Sequence, residues 1–274
     1  MTSPDVAQQD SEETFDRIIE EGEQRLGRSW TGLTSTALLG GIDVGAGAIA
    51  LLIVENQTHN VVLAGLAFSI GFIALTLAHS ELFTEGFLIP VAAVVARKAN
   101  IASLVRLWVM SIIGNLVGGW VLMGIAMAAF PNLRRTALEA GSFYITLGWS
   151  WRAFALAVIG GFVITLMTHM QHGTESDGVK LVPAVAMGFV LAAGKINHAI
   201  VASLLVFAAL QVGAPFGYVD WLKLFALACL GNMVGGMGLV TLLRLLQVPH
   251  KVQAEREQND PPSGVTSGDG TEPD

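Results

Sequence analysis

The chain has 274 residues, 53% of them apolar and 14% charged, with 31 Gly, a single Cys and a mean hydropathy of +0.59. That balance excludes an ordinary water-soluble enzyme. Most of the net charge of −7 sits at the two ends, since residues 1–30 carry eight acids against three bases and residues 249–274 carry six against two. The lone Cys229 excludes a disulfide scaffold, and the want of a basic patch argues against a nucleic-acid partner.

Residues 1–30 form an acidic segment in which 14–26 predicts a short amphipathic helix, with Phe15, Ile18, Ile19 and Leu26 on one side. Such a helix either lies against the mouth of a membrane domain or acts as a docking or gating segment. No apolar core precedes a cleavage site, so no secretory signal is expected.

Residues 31–248 read as a transmembrane channel domain. At about 1.5 Å per residue, roughly 20 apolar residues cross the hydrocarbon core. Residues 32–54, 107–130, 153–170 and 224–246 have that length. Residues 61–96 and 181–211 are too long for one straight span and too short for two, which predicts broken helices at the second and fifth of six positions. The breaks are expected at the polar interruptions, residues 79–86 and 194–198. Residues 249–274, acidic and containing Pro261 and Pro262, read as a disordered tail.

Gly114-Asn115-Leu116-Val117-Gly118-Gly119 recurs 117 positions later as Gly231-Asn232-Met233-Val234-Gly235-Gly236. Because each repeat holds three spans, the second copy enters the membrane from the opposite side. The two polar breaks then occupy equivalent second positions of the halves, with His79 paired to His198 119 residues later, and are expected to face each other near the midplane. Small residues four apart allow close helix packing; Asn115 and Asn232 either line a pore or bond a neighbouring backbone. Ten Lys and Arg flank the spans on the side of the termini and four on the other, which predicts an inner-membrane protein with both termini cytoplasmic.

A Lys, Asp or Glu at mid-membrane costs roughly 2.5–3.5 kcal/mol and is a functional candidate by default. Asp43 has an ion-pair or a functional reading. Glu81 is expected to support a helix break by accepting exposed N–H groups, and Glu85 to reach an interface. Lys195 and His198 share a face if their segment is helical. His169-x-x-His172, with Glu175 and Asp177 after it, is expected in a solvated loop rather than around a metal.

These residues resemble the formate/nitrite transporter family over about residues 30–247. The resemblance is carried by Phe68-Ser69-Ile70-Gly71, Glu81-Leu82-Phe83-Thr84, the repeated Gly-Asn-x-Val-Gly-Gly and Asn197-His198-Ala199-Ile200. It implies an all-α, aquaporin-like protomer with its own pore in a homopentamer. It also implies constrictions at Phe68, Phe72, Leu82, Phe83 and Phe189, a central polar site of Thr84 and His198, and anion attraction by Lys180. The chain departs from the family pattern at Asn197, where an acidic residue is usual, at Lys195, which has no counterpart, and at Glu85, which replaces a small residue.

Protonating a carboxylate at pH 7 costs about 4 kcal/mol, whereas carrying the bare anion through an apolar constriction costs far more. The expected protein is therefore a channel or proton-coupled transporter for a small monovalent weak-acid anion, or its neutral acid, in a lipid bilayer. Lys195 and Lys180 would attract the anion, Thr84 and Asn197 would hold it, and a proton would be exchanged near His198, with no cofactor or metal and no enzymatic step. The rival is a cation or proton-coupled carrier using Asp43, Glu81 and Glu85; a membrane enzyme built on His169 and His172 is a distant third.

Overall fold

In the computed structural model, which describes residues 4–259, the apolar runs become helices that begin at short polar caps. After α1 (Pro4–Leu26), α2 (Trp30–Thr58) starts where Ser29 Oγ accepts from the Gly32 N–H, and α3 (Val61–Ala78) where Asn60 Oδ1 accepts from the Val62 and Leu63 N–H groups. α4 is Ile89–Val95. Asn100 caps α5 (Ile101–Ala129) and Ser150 caps α7 (Trp151–His172), with α6 (Arg134–Leu147) between them. Each such oxygen satisfies an N–H that has no intrahelical partner. α8 (Asp177–Ala193), α9 (Ala199–Gln211) and α10 (Tyr218–Met233) follow. The last runs through a π-helical turn, Val234–Thr241, into α11 (Leu242–Leu245), and α12 is Pro249–Asn259.

Five helical stretches among the described residues are long and apolar enough to cross a membrane: α2, α3, α5, α7 and Tyr218–Leu245. The remaining expected span, the fifth in chain order, is filled in two pieces by α8 and α9. Both blocks of odd length are interrupted. α3 stops at His79, and a 3₁₀ turn, Phe83–Phe87, precedes α4; α8 stops at Gly194, and α9 resumes at Ala199. Many large side chains on the outer surface are apolar, among them Leu66, Ile70, Val109, Ile113 and Val117, as a lipid-facing wall requires.

The repeat explains how the breaks survive at membrane depth. Asn115 Nδ2 donates to the carbonyls of Ala37 and Glu81, both at 2.8 Å, while its Oδ1 accepts from the Phe83 N–H at 3.0 Å. In the second half Asn232 Nδ2 donates to Ala157 and Asn197, and its Oδ1 accepts from the Ala199 N–H at 2.9 Å. Each asparagine thus satisfies backbone groups that the interruption frees, at a depth where water is absent. The approach needs glycine beside it: a Cβ at Gly41 would strike the Asn115 backbone, and one at Gly161 the Asn232 backbone.

This pairing corrects the register expected for the two breaks. Glu81 corresponds to Asn197 and Phe83 to Ala199, so His79 matches Lys195 rather than His198. Both His79 (φ 51°) and Lys195 (φ 46°) take the left-handed conformation that ends a helix. The N–H one position further on bonds five residues back in each case, Ser80 to Leu75 and Ile196 to Leu191.

Three further differences concern the ends and loops. Residues 249–259, expected to be disordered, form α12, because Val248 and Val252 pack with Phe15, Ile18 and Ile19 of α1 and Leu88 and Ala92 near α4. Lys251 pairs with Asp16 at 2.8 Å and Glu255 with Lys98 at 3.1 Å; residues 260–274 lie outside the described residues. α6 carries too few apolar residues to read as a span, yet Ala137 and Tyr144 are buried against the core. His169 and His172 lie on the last turn of α7, not in a loop.

Candidate functional site

His198 begins α9, and its ring serves as the helix cap: Nδ1 accepts the Val201 N–H at 3.2 Å. That nitrogen therefore holds a lone pair, and a neutral imidazole assigned from this bond carries its proton on Nε2. Nε2 lies 2.7 Å from Thr84 Oγ1 across the two halves of the repeat, so His198 donates and Thr84 accepts. The hydroxyl hydrogen of Thr84 is left to donate elsewhere. Thr84 is held by the 3₁₀ turn, whose carbonyls are satisfied by Trp108 Nε1 on Gly86 (2.8 Å) and Thr241 Oγ1 on Phe87 (2.7 Å). Both Thr84 and His198 are fully buried.

Leu82 and Phe83 immediately precede Thr84, and Ala199 and Ile200 follow His198, all of them buried. Phe68 and Phe72 meet edge to face at 5.3 Å between centroids, and they share one buried cluster with Leu82, Phe83 and Ile200. Phe189 is only half-buried. Gly188, one residue before it, is the position that abuts Phe72.

On the face that carries both termini, a cavity of about 500 Å3 opens between α1, the end of α3, the 3₁₀ turn and α7, with Glu85, Thr76 and Gln171 in its wall. Neither Thr84 nor His198 lines it. Glu81, fully buried, turns its carboxylate toward α1 and the turn after it, where Arg25 Nη1 lies at 3.4 Å and Arg28 Nη1 at 2.8 Å. Its expected role at the break is carried instead by its backbone carbonyl, which accepts from Asn115. Arg25 also binds Glu21 at 2.6 Å and stands 3.8 Å from Glu85. Burial opposes the Arg25 charge, but Glu81, Glu21 and Glu85 outweigh it and hold the guanidinium above its ordinary range. Burial likewise opposes the Glu21 charge; Arg25 and the hydrogen bond from His172 (2.8 Å) prevail and keep that carboxyl well below the usual carboxylate range.

Other expected site residues lie elsewhere. Lys195 Nζ sits 3.8 Å from Glu55 Oε1 and 5.4 Å from the centroid of Phe143, on the face opposite the termini, with its side chain 39% exposed. It does not share a helical face with His198, because the left-handed turn at Lys195 ends α8 before the histidine is reached. Asn197 Nδ2 donates to Ala153 at 3.2 Å, leaving its Oδ1 buried without a hydrogen bond. Lys180 lines the cavity and pairs with Asp177 at 3.1 Å. Asp43 is half-buried on α2 with no ion pair among the described residues. Arg25 and Arg28 were not singled out by sequence; the available signal was two arginines three apart, just before the first span, in an otherwise acidic segment.

Broken helices from two inverted repeats, meeting at a buried hydroxyl–imidazole pair inside an apolar shell, define a membrane transport protein. A family model described as formate/nitrite transporter matches residues 12–246. The chain is 27% identical over 255 residues to the inner membrane protein YfdC of Escherichia coli (strain K12), covering 88% of this chain and 80% of that one. It is 24% identical over 249 residues to the formate channel BtFdhC of Bacillus thuringiensis, covering 84% and 92%. A solved pentameric formate channel with formate bound superposes with a TM-score of 0.67 at 23% identity, covering 78% of this chain and 95% of that one. The chain belongs to the formate/nitrite transporter family, and it is a channel for small anions, not an enzyme.

Proposed function

We propose that each protomer conducts a small monovalent weak acid past Thr84 and His198, with passage through the Phe68, Phe72, Leu82 and Phe83 shell in the neutral form. The observation that carries this reading is the 2.7 Å bond from His198 to Thr84. It leaves the threonine hydroxyl as a polarised donor for one substrate oxygen in an otherwise apolar passage. The same pattern argues against His198 as the acid itself, since a second proton on Nδ1 would point at the Val201 N–H and destroy the cap. The imidazole then orients Thr84, while the proton that neutralises the anion comes from outside the shell.

The likeness to a pentameric formate channel and to an inner membrane protein supports a homopentamer in the inner membrane, with formate as the first substrate to try. The excess of Lys and Arg on the face of the termini favours both termini in the cytoplasm. Lys180, in the cavity wall, would raise the local anion concentration there. The rival cation carrier is disfavoured because Arg25 and Arg28 neutralise Glu81. Formate uptake into proteoliposomes along a pH gradient tests the proposal. Uptake should exceed that of protein-free vesicles and fall strongly in Thr84→Val while Thr84→Ser retains it. Equal uptake with and without the protein defeats the reading.

A further inference from the structure

The charges around the terminal-face cavity do not balance evenly. Glu21, Glu81 and Glu85 face Arg25, but the short contacts go to Glu21 at 2.6 Å and Glu81 at 3.4 Å, and Arg28 adds 2.8 Å to Glu81 alone. The Glu85 carboxylate keeps only the 3.8 Å approach of Arg25 among the described residues, and no hydrogen bond. Its side chain is 7% exposed, and that exposure is to the cavity. It follows Thr84 directly in the 3₁₀ turn, so one turn presents a hydroxyl to His198 and a carboxyl to the aqueous mouth.

We propose that Glu85 is the proton donor of this channel, handing its proton to a weak-acid anion in the cavity before the neutral acid enters the apolar shell. The inference rests on the channel reading above and adds where the proton comes from. In the step the Glu85 O–H bond breaks with its electron pair left on the carboxylate, and a new O–H bond forms on the substrate oxygen. A proton taken from the bulk solution and relayed by water in the cavity then restores the Glu85 O–H bond. Arg25 steadies the transient carboxylate without holding it permanently, because its closer contacts are to Glu21 and Glu81.

Several charged groups share the cavity. From α1 come Arg17 and Glu20, besides Arg25 and Glu21, the turn after it adds Arg28, and the end of α3 adds His79. α7 contributes His172, already bonded to Glu21, and the α7–α8 connection adds Glu175 together with Lys180 of α8. Among all of them Glu85 alone belongs to the turn that carries Thr84.

The test is the pH profile of formate uptake by wild type, Glu85→Gln and Glu85→Asp in proteoliposomes. Without a local donor only the bulk neutral acid is available, and its fraction falls about tenfold per pH unit above the substrate pKa. Glu85→Gln should follow that slope throughout. Wild type and Glu85→Asp should show a plateau over the range in which the carboxyl holds its proton, with a severalfold higher rate there. A Glu85→Gln profile that coincides with wild type, or one that lies above it, overturns the proposal while leaving the channel reading intact; wild-type uptake equal to empty vesicles defeats the channel reading instead. Should Glu85→Gln fail to assemble, infrared difference spectra of wild type on adding nitrite decide the matter. Loss of a carboxylic-acid band with gain of a carboxylate band supports the step, and their absence overturns it.

Discussion

Arg28 Nη1 and Glu81 Oε2 meet at 2.8 Å, joining the end of the acidic N-terminal segment to the break in the second span. The carboxylate has no exposure, so it is held in the membrane domain by a cation that α1 and its following turn deliver from outside. Arg106 secures that turn, donating to the Leu26 carbonyl at 2.6 Å and the Arg28 carbonyl at 3.1 Å. The N-terminal helix is thereby part of the channel's charge balance.

Arg25→Met should lower stability by about 3–5 kcal/mol, because it strands carboxylates that the fold has removed from water. Adding Glu81→Gln should return part of the loss, since the most deeply buried of those charges is then gone. Melting temperatures of the two variants in mild detergent check this; equal values for Arg25→Met and wild type would show that Arg28 suffices alone.

Asn115→Leu should abolish assembly more completely than an ordinary core substitution. It leaves the Glu81 carbonyl and the Phe83 N–H at the break without partners, each at roughly 1–3 kcal/mol. Asn232→Leu should behave alike, as its place in the second repeat requires. Size-exclusion profiles of fluorescently tagged protein report the folded fraction, and a monodisperse wild-type-like peak from either variant would contradict the argument.

Acid should release α1, but only strong acid. Glu21 has a native pKa depressed below its ordinary 4.5, so its contribution is fully present above that value and is lost as the pH falls from there toward the native pKa. A spin label at residue 13 should stay immobile from neutral pH down to about 4.5 and gain mobility below. Release already near pH 6 would assign control to another group.

The span pattern was legible because length and hydropathy alone separate four regular blocks from two long ones. The repeat was legible because Gly114 and Asn115 recur as Gly231 and Asn232. The pairing of the breaks was misread, since spacing between two histidines says nothing about which residue takes the left-handed turn; the asparagine bonds decide it. α12 was hidden because its stabilising partners, Phe15 and Ile18, are more than 200 residues away in the chain. Arg25 and Arg28 were read as flanking charges, and only the tertiary structure brings them to Glu81. A common face for Lys195 and His198 required a helical segment, which the left-handed turn at Lys195 excludes.

Lys195 and Glu55 form a half-exposed pair on the face opposite the termini, and the two charges nearly cancel there. An exposed pair of this kind contributes about 0–1 kcal/mol, so Lys195→Met should leave the melting temperature almost unchanged. Its effect should be electrostatic. Removing Lys195 exposes the Glu55 charge to an incoming anion, whereas Glu55→Gln exposes the Lys195 charge. At about 10 Å in water one unit charge is worth roughly 0.4 kcal/mol, or about twofold in local anion concentration. Formate entry from that face should thus fall about twofold in Lys195→Met and rise about twofold in Glu55→Gln at low ionic strength. Both shifts should fade in concentrated salt, where the screening length drops to about 3 Å at 1 M. A tenfold loss in Lys195→Met that persists in high salt would mean that the ammonium touches the substrate.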